Sequence, residues 1–225
     1  ELSLSGDPFV GDFSWNSSFN ITFNRNKVLS LGGEESIVPA GGNKSQGMDV
    51  SRLLKVGEPI GIFYGFVGDG TFSTTDDIKN SAQPKAKPGD IRFKDFSGSD
   101  GKPDNKIDDY DRKIIGCAQP DFYGGFTNTF SYKNFDLNIY FYGEAGRKRG
   151  ASYYEGWTRM DNGINVSTYA LKAFSSNNLT ATDPTYVRGG NGWGDYYVKS
   201  IYYVRCGSIT LGLSLIHISE PTRRR

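Results

Sequence analysis

Phe13 to Asn24 reads FSWNSSFNITFN, and this stretch decides the fold. Its odd positions are Phe13, Trp15, Ser17, Phe19, Ile21 and Phe23, five of them large and apolar. Its even positions are Ser14, Asn16, Ser18, Asn20, Thr22 and Asn24, all polar. A period of two puts the two sets on opposite faces of an extended strand. Twelve residues is about double the usual strand length of ~5–6. Arg25-Asn26-Lys27 then reads as a tight turn into a strand at Val28–Leu31.

The pattern returns downstream. Phe122 to Tyr132 (FYGGFTNTFSY) places Phe122, Gly124, Phe126, Asn128, Phe130 and Tyr132 on one face. Lys133-Asn134 is a short turn, and Phe135 to Gly143 (FDLNIYFYG) sets Phe135, Leu137, Ile139 and Phe141 against Asp136, Asn138, Tyr140 and Tyr142. Two long alternating runs joined by a short turn form an antiparallel hairpin. Ile201 to Leu213 (IYYVRCGSITLGL) is a further strand with weaker alternation. Glu144 to about Tyr197 is a stretch of some fifty residues rich in Gly, Asn, Ser, Thr, Tyr and Trp, far beyond the ~4–6 residues of an ordinary connection.

Alternation alone leaves two architectures open. A soluble sandwich puts one strand face on a core and the other in water. A transmembrane barrel turns the apolar face to lipid, needs ~9–11 residues per tilted strand, and carries aromatic girdles, short turns at one end and long loops at the other. The strand lengths, the aromatic apolar face and the uneven loops all match the barrel.

Composition agrees with an all-β chain. Of 225 residues, 29 are Gly, near double the usual ~7%, and 14% are aromatic. With 26 Lys+Arg against 25 Asp+Glu the net charge is +1, which gives no footprint for nucleic acid. There is no long apolar run for a membrane helix and no signal-peptide pattern, and Glu1 reads as a start inside something longer. Cys117, Cys206 and the single His217 are too few for a disulfide framework, a zinc site or a His-based triad. Asp76-Asp77 and Asp108-Asp109 are adjacent in sequence and do not flank a substrate from two sides, as glycoside hydrolysis needs. No catalytic residues are expected.

One segment carries metal chemistry as an expectation. Residues 94–112 (KDFSGSDGKPDNKIDDYDR) form an Asp-rich turn. Hard cations such as Ca2+ take many oxygens on a tight turn, with a residue able to adopt positive φ and an apolar anchor. Asp104, Asn105, Ile107, Asp108 and Asp111 fall at positions five, six, eight, nine and twelve of an EF-hand-like loop. Asn105 stands where Gly is usual. Asp95 and Ser97 fill positions one and three, but Gly98 to Pro103 intrude, and Asp111 replaces the usual bidentate Glu. The candidate ligands are Asp95, Ser97, Asp104, Ile107, Asp108 and Asp111. The other reading is a solvated turn that holds no metal. In or beside the long loop, Tyr153, Tyr154, Trp157, Trp193, Tyr196 and Tyr197 offer flat faces for a sugar ring, or anchors for the loop or for a protein lid.

Five blocks in order then carry a resemblance: FSWNSSFNITFNRNKVLSL (13–31), VGEPIGIFYGFVGDGTF (56–72), KPGDIRFKDFSGSDGKPDNKIDDYDRKIIG (87–116), PDFYGGFTNTFSYKNFDLNIYFYGEAG (120–146) and YYVRCGSITLGLSL (202–215). The chain resembles the C-terminal portion of a SusC/RagA-type TonB-dependent outer-membrane transporter over nearly all of residues 9–213. The resemblance implies a multi-pass antiparallel barrel of the 22-stranded class with long extracellular loops, in the bacterial outer membrane. It also implies a plug and a TonB-contacting segment outside these residues, the TonB complex as energy source, and a SusD-like surface lipoprotein as lid. The cargo it implies is an oligosaccharide or a peptide. On this reading residues 1–213 are barrel, with the turn at 94–112 and the long loop at 144–197. Residues 214–225 (SLIHISEPTRRR) depart from the family and read as a non-native tail. The alternative is a soluble secreted β-sandwich that binds carbohydrate and carries a calcium turn.

Overall fold

The computed structural model describes residues 1–38, 51–150, 165–181, 183–185 and 194–213. The described chain is all β, with a few short 3-10 turns, and divides into two units. Unit 1 comprises 1–25, 120–147 and 201–225; unit 2 comprises 26–119 and 148–200.

Unit 1 is a five-stranded sheet. Its strands are β1 (Leu2–Phe9), β2 (Phe13–Thr22), β9 (Phe122–Tyr132), β10 (Phe135–Gly150) and β11 (Val198–Leu213), in the spatial order β1-β2-β9-β10-β11. The register follows the alternation. In β2–β9, Phe13, Trp15, Ser17, Phe19 and Ile21 oppose Tyr132, Phe130, Asn128, Phe126 and Gly124. In β9–β10, Tyr132, Phe130, Phe126 and Gly124 oppose Phe135, Leu137, Phe141 and Gly143. A slip of one residue in either pair would interleave the apolar and polar sets, so the pattern fixes the pairing. The hairpin at Lys133-Asn134 forms as its sequence predicts, with Lys133 at φ 54°.

Two elements differ from the sequence reading. Val28–Leu31 is not a strand paired to β2. Val28 instead exchanges backbone hydrogen bonds with Glu58 and Gly57, so the chain enters unit 2 rather than turning back. The hairpin partner of β2 is β1, reached through Val10–Asp12, with Leu2, Leu4 and Gly6 opposite Ile21, Phe19 and Ser17. The weak alternation of β11 also has a cause. A Cβ on Gly207 would meet the Tyr140 and Tyr142 rings, and one on Gly212 would sit against Asp136, all on the polar face of β10. Residues five apart cannot share a face under strict alternation, so the pleat changes phase between them. Ile209, Leu211 and Leu213 then return to the face that carries Val204.

Gly124 and Gly143 are register partners in mid-strand. A Cβ on Gly124 would run into the backbone oxygen of Asn20, and one on Gly143 into that of Tyr203. Glycines at such points let a sheet bend tightly, the curvature a barrel needs. Gly124→Ala and Gly143→Ala should each cost about 1–3 kcal/mol through overpacking against backbone. Gly6→Ala, where a Cβ meets nothing within 4 Å, should be near neutral. Loss of heat-modifiable mobility of the full-length protein on cold SDS gels reads the difference.

Unit 2 holds a sheet of β3 (Ser36–Ile37), β4 (Ser51–Lys55), β5 (Ile62–Gly65) and β8 (Lys113–Cys117), and a ribbon of β6 (Gly68–Thr71) with β7 (Ile91–Phe93). Its core includes Phe66, Ile91, Phe93 and Tyr197, with the Phe66 and Phe93 rings 5.2 Å apart and Ile107 packed against them. β10 runs to Gly150 and β11 starts at Val198, so the long connection covers 151–197 rather than 144–197.

Candidate functional site

Among the described residues, every buried apolar side chain lies in unit 2, from Leu53 to Val198. Unit 1 has none, although its sheet is the most regular part of the chain. On that sheet Phe13, Phe19, Phe122, Phe126 and Phe135 share one face and are all exposed, Phe19 at 38% and Phe126 at 39%. A sandwich strand would bury this face against a second sheet; among the described residues no second layer covers it. The apolar surface far exceeds the isolated exposed Leu or Phe normal on a soluble domain.

The face is also graded along the strands. Phe9, Phe13, Trp15 and Phe130 form a chain of ring contacts at 5.9–6.3 Å near the short-turn end. Phe23 and Phe122 meet at 6.0 Å near the other. Between them β2 and β9 share ten consecutive register pairs. At about 3.3 Å per residue these span ~30 Å, which projects to roughly 21 Å at a ~45° tilt, close to the ~25 Å apolar band of outer-membrane barrels. The one buried polar residue on this face, Asn128, accepts a hydrogen bond at 2.9 Å from the Trp15 indole N–H. A donor–acceptor pair of this kind removes most of the cost of a polar group in a dry setting.

The opposite face is hydrophilic and internally bonded. Asn138 Nδ2 donates to Thr129 Oγ1 at 2.8 Å, and Asn20 Oδ1 accepts from the Gly125 N–H at 2.8 Å. Tyr140 and Tyr142 stack at 5.9 Å. The long connections 23–121 and 151–197 both leave the same end of the sheet, and the two short turns lie at the other end. The sequence expectation of uneven loops therefore holds, with Val10–Asp12 in place of Arg25–Lys27 as the second short turn.

The Asp-rich loop is built on carboxylates that cap backbone N–H groups. Asp111 is fully buried: its Oδ1 accepts from Phe96 N (2.7 Å) and Ser97 N (3.1 Å), and its Oδ2 from Asp108 N (2.9 Å). Asp108 accepts from Tyr110 N and Asp104 from Lys106 N. Asn105 takes φ 60°, the conformation expected at the glycine position, and its N–H donates to Asp95 Oδ2 at 2.6 Å. Ser97 Oγ donates to the Gly98 carbonyl, and Ile107 is the apolar anchor on the Phe66 cluster. Just ahead of the loop, burial pushes the Asp90 carboxyl above its ordinary range, against the hydrogen bond it accepts from Lys87 N. Among the described residues no three His, Cys, Asp or Glu side chains are grouped to hold a metal. Asp95 Oδ1 is the one loop carboxylate oxygen left buried without a hydrogen-bond partner. Asp95, Asp104, Asp108 and Asp111 each spend at least one oxygen on a backbone N–H, and the described carboxylates do not gather at one point, so the loop in this arrangement is not a formed calcium cage.

Of the aromatic candidates, Tyr153, Tyr154, Trp157 and Trp193 lie outside the described residues, as does His217. Tyr196 packs on the Phe66 cluster, meets Tyr197 edge-on at 5.0 Å, and carries the Lys199 ammonium 4.2 Å over its ring. Its contacts are those of an anchor.

No family model matches the chain. Curated relatives do. It is 36% identical over 139 residues to TonB-dependent receptor P3 of Formosa agariphila, covering 60% of this chain and 13% of that protein. It is 30% identical over 224 residues to TonB-dependent receptor SusC of Bacteroides thetaiotaomicron, covering 95% of this chain and 20% of SusC. The chain thus spans a fifth or less of the length of these relatives. Among solved structures, the RagAB peptide importer in its open-open state superposes with a TM-score of 0.67 at 19% identity, over 93% of this chain and 21% of that one. The RagAB peptide transporter gives 0.65 at 17% identity, over 93% of this chain and 22% of that one. At these identities the structures speak for the fold, and they agree with the sheet: antiparallel, single-layered, and here an unclosed part of a ring. An unclosed, lipid-compatible sheet and these relatives together place the chain in the SusC/RagA-type family of TonB-dependent outer-membrane transporters, as a segment of a longer protein.

Proposed function

We propose that the protein containing this chain imports a nutrient across the bacterial outer membrane, energised by the TonB complex. The strands of unit 1 cross the bilayer as consecutive passes of a barrel of the 22-stranded class. Their Phe, Ile and Leu faces meet lipid and their Ser, Thr, Asn and Tyr faces line the lumen. The observation that carries this reading is the exposed apolar face of unit 1, whereas the buried apolar side chains among the described residues all belong to unit 2. The long connections are extracellular, as barrel loops of this length are. The chain takes no part in covalent chemistry.

The cargo is an oligosaccharide or a peptide. The SusC/RagA resemblance supports the first, and the RagAB peptide importer, a structural neighbour, supports the second. A SusD-like surface lipoprotein closes the mouth over the long loops, with Tyr153, Trp157 and Trp193 as candidate contacts to cargo or lid. Deleting the gene should abolish growth on either oligosaccharide or peptide as limiting nutrient, with restoration by the full-length gene. Unchanged growth and uptake on both classes would overturn the import reading. In the full-length protein, Trp157→Ala with Trp193→Ala should weaken uptake if these rings touch cargo or lid; unchanged uptake removes them from the site.

The Asp-rich loop works as a brace held by backbone hydrogen bonds to Asp111. Treatment with EDTA should leave the protease resistance of 94–112 in the full-length protein unchanged. A clear loss of resistance, restored by Ca2+, would instead assign a cation to Asp95 Oδ1.

A further inference from the structure

The lipid-facing surface of unit 1 carries large side chains on either side of a glycine pair. Where Gly124 and Gly143 face each other across β9 and β10, the missing side chains leave a groove of about 380 Å³. Its floor is glycine backbone, and its walls are Phe19, Ile21, Phe122, Phe126, Phe141 and Val204. The gap cannot be closed by small substitutions at its floor, because a Cβ at either glycine collides with the neighbouring strand. The bend that curves the sheet therefore also creates the groove.

We propose that this groove is a slot for one acyl chain of a membrane lipid. The occupant follows from the groove's place: it opens on the apolar face beside Phe122, at the end of the sheet away from the short turns, continuous with the surface that meets the bilayer. Its side-chain walls are hydrocarbon, so a chain seated there exchanges tail–tail contacts for tail–aromatic ones at no polar cost. A rigid concave wall also holds a tail better than a flat one, since more atoms reach van der Waals distance. This inference rests on the membrane reading above, and the test separates the two.

Val204 is 80% exposed on the rim, and its Cγ2 lies 3.3 Å from where a Gly143 Cβ would be. Val204→Trp fills the slot without touching a core. Leu4→Trp, on the same face in β1 and outside the groove, is the control. The full-length transporter is extracted from native membranes in mild detergent, and co-purifying phospholipid and lipopolysaccharide per barrel are counted by native mass spectrometry. The expected result is a loss of about one bound lipid per barrel, a five-fold or greater fall in the singly lipidated species, in Val204→Trp alone. Equal lipid retention in Val204→Trp and Leu4→Trp overturns the slot, as does conversion of a dimer to monomer with lipid unchanged, which would make the groove a contact between copies. A protein found outside the membrane fraction would overturn the membrane reading itself.

Discussion

Phe126→Arg in the full-length transporter is expected to deplete folded protein from the outer membrane, whereas Thr127→Arg is expected to be tolerated. The two residues are neighbours in β9 but face opposite sides of the sheet, Phe126 between Phe19 and Phe141 and Thr127 between Ser18 and Tyr140. An arginine on the lipid face near the bilayer midplane costs about 2–4 kcal/mol, while lumen positions tolerate charge. Phe126 sits near the centre of the ten-pair band, so the upper part of that range applies. The yield of heat-modifiable protein in the outer-membrane fraction measures the effect. Were the two variants equally harmful, the assignment of faces would be wrong.

The second large effect is at Asp111. Its carboxylate is fully buried and satisfies three backbone N–H groups, at Phe96, Ser97 and Asp108. Asp111→Ala strands those donors, and each buried unsatisfied group costs about 1–3 kcal/mol, so the loop should lose several kcal/mol of local stability. Asp111→Asn keeps one acceptor oxygen and should recover part of the loss. Asp109→Ala removes only an exposed carboxylate paired with Arg112 at 2.9 Å and should change little. Limited proteolysis between residues 94 and 112 reads the order: Asp111→Ala cut fastest, then Asp111→Asn, with Asp109→Ala like the wild type.

What the sequence disclosed follows from the strength of its periodicity. β2, β9 and the first half of β10 were legible because one face of a membrane strand must be apolar at nearly every second residue. β1 was missed because LSLSGDPF carries only Leu2 and Leu4 before Gly6 breaks the pattern, and its pairing with β2 shifts register between Gly6 and Phe9. Val28–Leu31 was misread as a strand because a short apolar run looks the same whether it pairs in a sheet or packs beside a turn. The phase change in β11 blurred an alternation that is regular on either side of it.

The Asp-rich loop shows a different limit. Spacing located the turn, the left-handed Asn105 and the Ile107 anchor correctly. It did not show how the carboxylates are used, because an oxygen that caps an N–H and one that binds a cation call for the same residue types. The buried position of Asp111 commits its own two oxygens to capping, and burial of a single Asp leaves no trace in sequence. The lipid-facing groove was likewise invisible: Gly124 and Gly143 lie nineteen residues apart and meet only through the register of the hairpin.

The account stands on which way the Phe face points. In a full-length protein freed of native cysteines, single cysteines at positions 19, 126 and 137 are compared with ones at 18, 127 and 138 in intact outer membranes. The account predicts that the first set reacts with a bilayer-soluble thiol probe and resists a water-soluble maleimide, and that the second set does the reverse. Protection of positions 19, 126 and 137 from both probes, as in a face sealed against another protein layer, would contradict it.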